Sequence, residues 1–83
     1  MSVLILFRSV TFAQRGKRIL ERGGIRAELS RAPMGHTERG CGYALRIPER
    51  EKSRALELLR CEGIDHGKIL ARNDSGTWEE AEL

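Results

Sequence analysis

Val3 to Phe7 is an unbroken apolar run, the pattern of a strand covered on both faces. Ser9 follows as an N-cap residue. Phe12, Ala13, Gly16, Ile19 and Leu20 then recur on one face of a helix, and Gln14, Arg15, Lys17, Arg18, Glu21 and Arg22 cover the rest. Gly16 lies mid-face, where a missing side chain lets a helix approach a sheet closely. Gly23-Gly24 ends this helix. Ile25 to Arg31 alternates, with Ile25, Ala27 and Leu29 opposite Arg26, Glu28 and Ser30, as in a half-buried edge strand. Residues 32–40 form a loop rich in breakers. Gly42 to Ile47 alternates again, with Tyr43, Leu45 and Ile47 opposite Ala44 and Arg46. Pro48 opens a second helix with Lys52, Ala55, Leu56 and Leu59 inward. Gly63 stops it, and His66 to Ala71 reads as a fourth strand.

The two halves echo each other. Ile19 to Ile25 and Leu58 to Ile64 each combine a helix end, a glycine stop and a strand start. Two such halves predict an α+β, ferredoxin-like βαββαβ domain over residues 1–72, followed by an acidic tail over 73–83. The expected sheet is antiparallel and four-stranded, ordered 4-1-3-2, with two helices on one face. In that order the start of the third strand lies beside the end of the first, where the first helix begins. Cys41 is thereby expected near Arg8, Ser9 and the N–H groups of Val10 and Thr11. A helix N-terminus there favours a thiolate. The other sheet face would expose Leu4, Leu6 and Ala44, an apolar strip that predicts a homodimer. The competing expectation is that Trp78 folds back over the strip.

Eighty-three residues suit one domain with a thin core, room for a shallow site and none for an enclosed large substrate. The net charge of +3 is unevenly spread. Residues 1–48 hold nine Arg or Lys against three Glu, and residues 49–83 hold six against nine Asp or Glu. A basic half suggests an anionic partner, with a solvated arginine surface as the plain alternative. No stretch approaches the ~20 apolar residues of a membrane helix, so no membrane association is expected. Two cysteines and no secretory leader point to a reducing, cytoplasmic setting. The central strands offer Phe7 and Tyr43, but both alternate with the core and no RNP-type motif accompanies them, so nucleic acid is not the expected partner. No glycine-rich nucleotide motif suggests a cofactor. Cys41, Cys61, His36 and His66 lack zinc-ligand spacing.

Cys41 stands between Gly40 and Gly42, after the loop, with Arg39 and Arg46 near in sequence. Glycine neighbours let another molecule approach the sulfur, and nearby cations hold a thiolate. His36 could orient it or act as a base; a solvated loop histidine is the plainer reading. Cysteine elsewhere is most often a small buried hydrophobe. Cys61 falls opposite the apolar face of the second helix and reads as incidental.

The run Gly40-Cys41-Gly42-Tyr43-Ala44-Leu45-Arg46, with Leu4 to Ser9 and Gly24-Ile25 before it and Leu58-Leu59 to Gly63-Ile64 after it, resembles the selenium/sulfur carrier protein-like family. The resemblance covers roughly residues 3 to 71 and implies a carrier that holds sulfur or selenium as a persulfide or selenosulfide on Cys41. It implies donor and acceptor proteins as partners; the supporting residues Arg39, Arg46, Ser9, Thr11 and His36 follow from their places in the sequence and the expected fold, not from the resemblance. One departure is Thr37-Glu38-Arg39-Gly40, where the family has small residues before Cys-Gly, so the charge around the thiol differs. The alternative is a non-catalytic interaction or oligomerisation module with a structural cysteine.

Overall fold

The computed structural model describes residues 2–32, 42–72 and 76–80. Their elements run β1 (Ser2–Phe7), α1 (Val10–Arg22), β2 (Glu28–Arg31), β3 (Tyr43–Pro48), a 3-10 turn (Glu49–Glu51), α2 (Lys52–Cys61), β4 (Ile69–Arg72) and β5 (Trp78–Glu80). The five strands form one sheet in the order β2-β3-β1-β4-β5, and each neighbouring pair is antiparallel. The four expected strands are neighbours as predicted, but the expected four-stranded sheet is corrected to five. β5 adds to the edge beside β4, with Leu70 opposite Glu80 and Arg72 opposite Trp78. Trp78-Glu79-Glu80 is too short and too acidic to announce a strand; it is held by β4 and by the apolar surface under Trp78.

β1 behaves as its apolar run requires. Val3, Ile5 and Phe7 point to one side, where they meet Ala13 and Leu20 of α1, Leu45 and Ile47 of β3, and Ala55 and Leu59 of α2. Both helices therefore cover the same face. Leu4 and Leu6 point to the other side, with Ala44 and Leu70. These four are buried within a single chain, none more than 4% exposed, and Ala32 and Trp78 pack against them. The expected exposed strip is thus absent, which removes the ground for a homodimer through that face. The fold-back of Trp78 is what its contacts resemble.

Local boundaries follow backbone chemistry. Ser9 caps α1, its side chain accepting a hydrogen bond from the N–H of Phe12 at 3.2 Å. Each helix is followed by a glycine of positive φ, Gly24 at 85° and Gly63 at 70°, a conformation open to residues without a Cβ. Ile25 and Ala27 are buried as expected, yet β2 begins only at Glu28, where pairing with Arg46 of β3 begins. Gly16 closes the contact between α1 and the sheet. A Cβ there would lie 3.0 Å from Cζ of Phe7 and 3.3 Å from Cδ1 of Leu45.

Two outcomes follow from this packing. Gly16→Val should destabilise the protein by about 1–3 kcal/mol, the usual cost of overfilling a packed interior, read as a lower urea midpoint. Deleting residues 76–83 should uncover Leu4, Leu6 and Leu70 and raise binding of a hydrophobic dye, and Trp78→Ala should reproduce part of that rise. Dye binding unchanged in both variants would mean that β5 does not cover this face.

Candidate functional site at the β1–α1 junction

The end of β1 gathers the features that could act on a ligand. β1 stops at Phe7, Arg8 is exposed, and Ser9 takes extended backbone angles before α1 turns in. Only the Phe12 N–H receives the Ser9 cap, so the N–H groups of Val10 and Thr11 have no partner within the helix. The first turn of α1 carries no acidic residue. The partial positive charge of the helix end is not offset by its own side chains.

Strands on both sides converge on this end. Phe7 lies opposite Tyr43, so the chain at Gly42 passes beside the junction. The Gly42 carbonyl accepts from the Ala32 N–H at 3.1 Å. On the other flank, the Gly67 N–H donates to the Leu6 carbonyl at 2.6 Å, and the Leu6 N–H donates to the Lys68 carbonyl at 2.9 Å. His66 Nδ1 stands 2.7 Å from the Gly67 carbonyl. The Arg31 guanidinium lies 6.0 Å from the Tyr43 ring centroid. His66 reaches this end through the register of β4, which no local motif around it announces.

Of the sequence candidates, Cys41, Arg39 and His36 lie outside the described residues. Ser9 is committed to capping. Thr11 is exposed on the first turn of α1. Arg46 is held elsewhere: it lies three residues along β3 from Tyr43, roughly 10 Å away at ~3.3 Å per residue, and its guanidinium is 2.6 Å from the Glu28 carboxylate on β2. The structure does not bring Arg46 to the β1–α1 junction. The hydrogen bond and charge of Arg46 hold the Glu28 carboxyl below its ordinary value of 4.5.

Two residues at the junction escaped the sequence pattern. Val10 and Phe12 are 37% and 39% exposed. Phe12 shares helical spacing with Gly16 and Ile19, which suggested a place in the core. The partner helix does not supply one. α2 has ten residues against thirteen in α1, and it meets the C-terminal half of α1, where Leu58 and Glu62 adjoin Ile19, Arg22 and Gly23. Phe12 lies two turns away from that contact.

Cys61 is exposed, as expected, and its Sγ is 3.8 Å from Glu57 Oε1. Arg60 bonds the same carboxylate group at 2.6 Å and holds Glu57 below the ordinary carboxylate range. Among the described residues no group of three or more His, Cys, Asp or Glu could hold a metal ion, and no helix is long and apolar enough to cross a membrane.

With this geometry in place, comparison with known proteins gives one result. The family model described as "Putative Se/S carrier protein-like" matches residues 2–71, and the chain belongs to that family. No curated protein and no solved structure matches it.

The Glu28–Arg46 pair carries a pH signature. Because the folded Glu28 titrates below 4.5, its contribution to stability is present above that value and is lost as pH falls through the lowered folded value. Glu28→Gln should flatten this part of the acid limb, measured as urea midpoints across a pH series. An unaltered limb would show that the pair does not differ between folded and unfolded chains.

Proposed function

We propose that this member of the Se/S carrier protein-like family carries sulfur or selenium covalently on Cys41, as a persulfide or selenosulfide. The observation that carries the reading is the family match, whose span includes Cys41-Gly42. The register of β3 supports it: Gly42, the residue after Cys41, lies beside the end of β1, where the N-terminus of α1 offers N–H groups with no partner among the described residues. Partial positive charge of that kind favours a thiolate over a thiol. The frame is a ferredoxin-like βαββαβ with β5 added at one edge.

The chemistry is thiol exchange. The Cys41 thiolate attacks the terminal sulfur of a donor protein's persulfide. A new S–S bond forms on Cys41 as the donor's S–S bond breaks, and the donor leaves as a thiolate. Delivery repeats the exchange, with an acceptor thiolate attacking the outer sulfur and Cys41 leaving as thiolate. A selenium adduct follows the same bond accounting with selenium as the outer atom. Donor and acceptor proteins are therefore the partners. A carrier with a free thiol needs a reducing compartment, which the cytoplasm provides. Arg39 and His36 are the side chains in the adjoining sequence that could hold the anion. Ser9 acts by capping α1, and Thr11 borders the same helix end. Arg46 has its charge matched by Glu28.

Cys41 should react with iodoacetamide faster than Cys61 at neutral pH, and its rate should stay high below the range where ordinary thiols protonate. Mass spectrometry after incubation with a persulfide donor should find the added sulfur on Cys41, and Cys41→Ser should abolish it while leaving the fold intact. Equal alkylation of the two cysteines, with no adduct at Cys41, would leave a structural cysteine and overturn the carrier reading.

A further inference from the structure

The outward face of α1 bears a stripe of arginines. Arg15, Arg18 and Arg22 are all exposed. At ~100° per residue they fall within about 60° of one another, opposite the buried Ala13, Gly16 and Leu20. At ~1.5 Å rise per residue the stripe is roughly 10 Å long. None of the three has an ion pair, hydrogen bond or ring partner among the described residues. Arg8, Arg26 and Arg50 also lack such a partner among the described residues, but α1 alone lines three such guanidiniums along one described helix face. Lys17, Arg46, Arg54, Arg60 and Lys68 each face a carboxylate, and Arg31 and Arg72 lie over aromatic rings. The one carboxylate on α1, Glu21, is taken by Lys17 at 2.8 Å.

We propose that this stripe docks an acidic protein surface, that of a partner exchanging sulfur or selenium with the thiol; the partner's role rests on the carrier reading above, while the docking does not. Charge complementarity selects an anionic occupant. Two features favour a protein over a nucleic acid. Residues 49–83 hold nine acidic residues against six basic ones, a field that repels a long polyanion but tolerates a localised acidic patch. Phe12, exposed and one turn before Arg15, supplies an aromatic anchor beside the guanidiniums, a combination that protein interfaces favour. The stripe begins near the helix end beside which Gly42 passes, so an occupant bound there is held close to the residue that follows Cys41 in the chain.

The test uses the full chain carrying Cys41→Ser, so that thiol chemistry cannot influence binding. The probes are a short poly-glutamate peptide, a glutamate peptide interrupted by leucines, and a single-stranded RNA of equal charge. Binding is followed by amide chemical-shift changes. Expected are shifts centred on Thr11, Arg15, Arg18 and Arg22, weakening with salt, and tighter binding of the leucine-containing peptide. Arg15→Glu, Arg18→Glu and Arg22→Glu together should lower affinity at least tenfold with unchanged circular dichroism. Phe12→Ala should remove the advantage of the leucine peptide alone. No binding, shifts centred elsewhere, or tighter binding of the RNA would overturn the proposal. Failure here with a reactive Cys41 refutes the docking face; docking with an inert Cys41 refutes the carrier reading instead.

Discussion

β1 is hydrogen-bonded along both edges and packed on both faces, and the other elements are arranged by that requirement. β3 and β4 occupy its edges, from Ser2–Pro48 to Phe7–Tyr43 on one side and from Val3–Ala71 to Ile5–Ile69 on the other. α1 and α2 shield Val3, Ile5 and Phe7, while Leu4 and Leu6 need a second cover. In a chain this short the burial of five consecutive apolar side chains is a large share of the available hydrophobic stabilisation. The tail contributes to it: β5 places Trp78 against the second face, beside Ala32.

The same strand sets the position of the candidate site. Where β1 ends, α1 must begin, and Ser9 makes the turn by capping it. The neighbours of β1 arrive from both flanks, Gly42 through β3 and His66-Gly67 ahead of β4. A backbone junction whose first helical N–H groups have no partner among the described residues, bordered by glycines and without acidic side chains in the first helical turn, suits a small anion better than an enclosed substrate. The geometry by itself is common to many strand–helix turns, and the family match spans the junction without singling it out.

Charge is distributed with the same economy. On β2 and β3 and within α2, opposite charges sit on facing or neighbouring positions: Glu28 with Arg46, Glu57 with Arg60. These exposed pairs add little stability, being screened by water and salt, yet they neutralise the surfaces they occupy. The outer face of α1 is left as a concentrated cationic surface. The stripe and the junction share one helix.

The periodicity of side chains was enough to place both helices, to separate Leu45 from Arg46 onto opposite faces of β3, and to mark β1 as doubly buried, because those features depend on residues close in sequence. The pattern Cys41-Gly42 with its surrounding strands and turns was likewise enough to indicate the family. What local pattern could not determine depends on contacts between distant segments. Trp78 becomes part of a strand because β4 offers it an edge and Leu4, Leu6 and Leu70 offer it an apolar surface. Phe12 has core spacing and is exposed, because the shorter α2 packs against the other end of α1. Arg46 is near Cys41 in number and far from the junction in space, because a strand carries it ~3.3 Å further per residue and Glu28 waits across the ladder. Sequence determines which face a side chain prefers; only the assembled sheet decides what lies opposite that face.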